Sequence, residues 1–103
     1  MKRGVVSNED VISMIRRELL PDGLDVSDVV RFLPYLDYCT KNGGSVSLNR
    51  VSDVEIFLLE FLSKKGLIRI KSNESDGVLF VAISEKMYEF INSVLWDAYV
   101  VKF

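Results

Sequence analysis

The chain has 103 residues, 49% of them apolar, and its 13 basic and 15 acidic side chains leave a formal net charge of -2. That size suits one domain over residues 1–103 with a modest core, and no overall basic excess draws it to nucleic acid or anionic lipid. Cys39 is the sole cysteine and histidine is absent, which excludes Ser-His-Asp, Cys-His and Cys2His2 sites and any internal disulfide.

No apolar signal core follows the basic start Lys2-Arg3, and no stretch approaches the roughly 18–20 apolar residues of a membrane span. A cytoplasmic protein without membrane, metal or cofactor is the expectation.

Ser7 or Asn8 caps a first helix running to about Leu20, with Glu9 and Asp10 in its first turn. Val11, Ile12, Ile15, Leu19 and Leu20 form its apolar stripe. Pro21-Asp22-Gly23 stops it. A second helix runs from Asp25 or Ser27 towards Cys39, burying Val26, Val29, Val30, Leu33 and Leu36. Pro34 kinks or splits it, because proline cannot donate to the carbonyl four residues back. Asn42-Gly43-Gly44 ends the element, and Ser45–Asn49 alternates as a short strand.

Ser52 or Asn49 caps a third helix over Asp53–Lys65, with Gly66 at its C′ position. Leu67–Lys71 and Val78–Ile83 then read as a hairpin joined by the polar turn Ser72–Gly77. Ser84 opens a last helix to about Ala98, and Tyr99–Phe103 forms an apolar end. The fold class is therefore α+β: a small helical domain with a short antiparallel β-hairpin or three-stranded sheet.

The run Val54–Ile70 resembles the junction of recognition helix and first wing strand in winged helix-turn-helix proteins. The hairpin around Ser72–Gly77 stands for the wing and Ser84 onward for the closing helix. The family normally places two helices between its first strand and the hairpin; here one fits between Leu48 and Leu67. The likeness implies either a DNA-binding transcriptional regulator or a protein-interaction module.

Residues 50–71 carry 5 basic and 3 acidic side chains, the only basic stretch. Arg50, Lys64, Lys65, Arg69 and Lys71 are the candidate phosphate contacts. Against them, Asp53 and Glu55 open the helix and Glu74 and Asp76 occupy the wing, where they repel phosphate. On a helical wheel Val51, Val54, Phe57, Leu58, Phe61 and Leu62 share one side of the third helix, which is assigned to the core. Ile56 falls almost opposite. In the last helix Met87, Phe90, Ile91, Val94, Leu95 and Ala98 form the buried stripe, and Trp96 lies nearer Glu85, Glu89 and Asn92.

Ile56 and Trp96, with Tyr35, Tyr38 and Phe103, make a candidate interface for another protein or a second copy of the chain, since aromatic anchors favour interfaces. Asp22, Asp25 and Asp28 read as capping residues in place of a calcium loop, and Cys39 reads as an inert buried thiol. Gly43-Gly44 lacks the partners of a phosphate loop. The expected function is a small non-enzymatic regulatory or adaptor protein, with DNA regulation as the alternative.

Overall fold

The first helix starts where Asn8 accepts backbone N–H bonds from Asp10 and Val11, and it runs as α1 over Glu9–Met14. It continues as one wider π-helical turn, Ile15–Leu19, which places Ile15 and Leu19 at 0% exposure. Pro21 has no N–H for the carbonyl of Arg17, so the helix cannot continue. The computed structural model describes residues 8–73 and 77–99, with the backbone alone for residues 72, 73 and 97–99. The described residues form four α-helices and a three-stranded antiparallel sheet.

Helix α2, Val26–Lys41, is a single 16-residue element that passes through Pro34 unsplit. A capping box starts it: Asp25 accepts from the Asp28 N–H, and Asp28 accepts from the Asp25 N–H. Its inner side buries Val29, Val30, Phe32, Leu33, Leu36 and Cys39, while Val26 is half-buried.

Gly44 then welds the end of α2 to the sheet. Its N–H donates to Cys39 at 2.7 Å, and its carbonyl accepts from Val81 at 2.7 Å. A Cβ at Gly44 would sit 2.7 Å from the Val81 carbonyl oxygen, and φ is +79°. Only glycine meets both demands without strain.

Strand β1, Ser45–Ser47, pairs antiparallel with β3, Val78–Ile83, which in turn pairs with β2, Ile68–Asn73. The order β1-β3-β2 puts the last strand in the middle. Val46, Ile68 and Val81 are buried on the inner face, and a 3-10 turn, Leu48–Arg50, leads from β1 towards α3. No second α-helix intervenes between β1 and α3.

Helix α3, Asp53–Lys64, has a Ser52–Glu55 capping box. It ends in a Schellman turn: Leu67 N–H donates to Leu62, Gly66 N–H donates to Ser63, and Gly66 has φ +77°. The exit direction fixed there feeds β2 into the sheet. Helix α4, Glu85–Tyr99, follows β3 directly, with Ser84 capping the N–H of Met87. Met87, Ile91 and Val94 pack at 0% exposure into the core shared with α2, and Phe90 and Leu95 line it half-buried.

One assignment needs correction. In α3 the buried residues are Leu58, Leu59 and Leu62, whereas Val54 and Phe57 are exposed. The core stripe keeps Leu58 and Leu62 but gains Leu59 in place of Val54 and Phe57, a turn of about 70° on the helical wheel. Apolar side chains occupy so much of this helix that periodicity alone does not fix its inner side. Packing against the rest of the fold chooses the rotation, and it brings the Leu58-Leu59-Leu62 side into the common core.

Candidate interaction surface

Burying an apolar side chain contributes about 1.5–3 kcal/mol, so large apolar groups left in water need a reason when they cluster. Trp96 is 69% exposed, Tyr38 65% and Phe57 47%, and Leu48, Val54, Phe80 and Tyr88 are also exposed.

On α4 the solvent face is drawn by the same periodicity that buries Met87, Ile91 and Val94. Glu85, Tyr88, Glu89, Asn92, Ser93 and Trp96 all point outward. Tyr88 and Trp96 are eight residues apart, about two helical turns along α4 and about 80° around it, and both fall on its solvent side. An acidic and amide margin separates these two aromatics.

The second concentration joins α2 and α3. A shallow groove of about 290 Å³ is lined by Asp22, Gly23, Leu24, Asp53, Val54 and Phe57. A neighbouring hollow of about 340 Å³ is lined by Asp28, Arg31, Phe32, Ser52, Val54 and Glu55. Val54 belongs to both. Reading α3 as a single packed stripe hid Val54 and Phe57 from the interface set; the usable signal was the excess of apolar residues over what one helix side can bury.

The expected interface residues divide. Trp96 and Tyr38 are exposed, whereas Ile56 and Tyr35 are half-buried and Phe103 lies outside the described residues. The Tyr35 hydroxyl is held above its ordinary pKa of 10.0, first by burial, then by its interaction with Cys39 and by the nearby Glu55 carboxylate. Arg50 opposes that shift.

The expected basic cluster also divides. Lys65 donates to the Glu18 carbonyl oxygen at 2.7 Å and stands 5.4 Å from the centre of the Phe61 ring. Lys64 is exposed at the end of α3. Arg69 and Lys71 lie on the outer face of the sheet, opposite Ala82 and Phe80 respectively. Arg50 stands at the far end of the 3-10 turn, exposed.

Cys39 is buried. Among the described residues, no group of three His, Cys, Asp or Glu side chains could hold a metal ion, and no helix is long and apolar enough to cross a membrane. No protein-family model, curated protein or solved structure matches the chain.

Proposed function

We propose that the protein is a small binding module that docks another protein through its exposed apolar and aromatic surface. The observation that carries this reading is Trp96, 69% exposed on the same side of α4 as exposed Tyr88. Aromatic anchors at the centre of an interface supply most of its affinity, and a polar rim sets orientation. Glu85, Glu89 and Asn92 form such a rim. An adaptor or regulator needs no catalytic set, and self-association is the homotypic form of the same activity.

The order α3, hairpin, α4 supports the winged-helix likeness across that stretch, with the 3-10 turn standing where the family has its second helix. A duplex-binding role gains less support, because Lys65 is engaged by Glu18 and Asp53 and Glu55 begin α3.

Quantitative affinity capture with the wild type and a Trp96→Ala/Tyr88→Ala variant tests the reading. A partner retained by the first and lost by the second, with both folded, supports it. Equal retention of every captured protein overturns it. Light scattering across a concentration series tests the homotypic form, and a strict monomer removes self-association.

A further inference from the structure

We infer that the groove between the starts of α2 and α3 docks a basic amphipathic helical segment of a partner protein. The inference rests on the protein-binding reading above but concerns a different face from that of Trp96.

Its floor is apolar: Leu24 is half-buried, and Val54 and Phe57 are exposed. Its margin is acidic. Asp22 and Asp53 line the groove itself. On α3, Phe57 is bracketed by Asp53 four residues before it and exposed Glu60 three residues after it, the spacings at which side chains meet on a helix surface.

None of these three carboxylates has an ion pair; the four salt bridges among the described residues use Glu18, Asp28 and Asp37. Asp28 and Glu55 in the adjoining hollow are committed to capping, and Arg31 there is paired with Asp28. The α3 dipole offsets part of the charge on Asp53, at the first helical position, but Glu60, two turns further along α3, has no such offset. Lys64 lies beyond Glu60, past the apolar floor.

An apolar floor with unpaired carboxylates repels phosphate and attracts lysine and arginine. A helix with apolar residues at i, i+3 or i+4 can lay them on Leu24, Val54 and Phe57 while flanking cations meet Asp22, Asp53 and Glu60. Nucleic acids and anionic lipid are the wrong charge for this face.

Panning a random peptide library against the immobilised full chain provides the probe, and the enriched peptides are then titrated into isotope-labelled protein. The inference expects peptides rich in Lys and Arg around spaced apolar residues, with amide shifts centred on Leu24, Val54 and Phe57. Binding weakens about tenfold or more in Phe57→Ala and in Asp22→Lys/Asp53→Lys, falls with salt, and is unchanged in Trp96→Ala. Val54→Ser gives a second test should Phe57→Ala fold poorly.

Peptides without a basic excess, equal binding to Phe57→Ala and Val54→Ser, or no enrichment overturn the groove assignment. Peptides lost in Trp96→Ala but retained in Phe57→Ala also overturn it, while leaving the protein-binding reading on α4 intact.

Discussion

The Lys65 ammonium reaches across the chain to the main-chain oxygen of Glu18, 2.7 Å away. Glu18 lies in the π-helical turn just before Pro21, where a helix end leaves carbonyls without intrahelical donors. Lys65 satisfies one of them and ties the end of α3 to the end of the first helix. Its ion pair with the Glu18 carboxylate, at 3.8 Å, is the looser contact. Lys65→Met is expected to lower stability by about 1 kcal/mol, seen as a fall in Tm of roughly 4–8 °C. Lys64→Met is expected to change it by less than about 0.5 kcal/mol, and thermal melts of the two variants make the comparison.

The rotation of α3 has an equally direct consequence. Leu58→Ala or Leu59→Ala opens a cavity in the core and should cost about 2–5 kcal/mol. Phe57→Ala, one residue away, gives up only a half-covered ring and should cost about 1 kcal/mol. Urea denaturation of the three variants measures this. A large loss in Phe57→Ala would restore the stripe expected from periodicity.

Gly44 is pinned by a positive φ and by the Val81 carbonyl. Gly44→Ala should cost roughly 3 kcal/mol or more, combining left-handed strain with a backbone clash. Gly43→Ala, with φ +94° and open space around its Cβ position, should cost only the strain, about 1–2 kcal/mol. Denaturation midpoints of the pair separate the two effects.

Asp25 gives the fold a pH dependence. Hydrogen bonds from the Ser27 hydroxyl and the Asp28 N–H hold its carboxyl below the ordinary value of 3.8. A carboxyl with a depressed folded pKa contributes its full stabilisation above the unfolded value and loses it as pH falls through the lower folded value. Melts across and below pH 3.8 should therefore show the wild type losing its advantage over Asp25→Asn as the acid range is entered. A constant difference between them would show that the cap carries no linked proton.

Much of this architecture was legible in local chemistry. Asn8, Ser52 and Gly66 announce their roles through capping and φ, and the apolar Val78–Ile83 run through the polar turn before it, all of which depend on near neighbours. The exposed side of α4 was legible too, since Trp96 falls outside a clean apolar stripe. The π-helical turn was not, and at Pro34 the sequence left a kink or a split open; α2 shows no split. The outer side of α3 was hidden for another reason: Val54, Phe57 and Leu58 look alike to a hydrophobic pattern, and only contacts with the rest of the fold choose between them. The pairing of Lys65 with Glu18, far apart in sequence, carries no local signature at all.

The central claim is that the exposed aromatics bind a partner and do not hold the fold together. Measuring thermal stability and partner retention side by side in Trp96→Ala/Tyr88→Ala tests it most directly. The account predicts that Tm stays within a few degrees of the wild type, as for surface substitutions, while the captured partner is lost. A variant that melts far lower, or one that keeps every partner at wild-type levels, would contradict it.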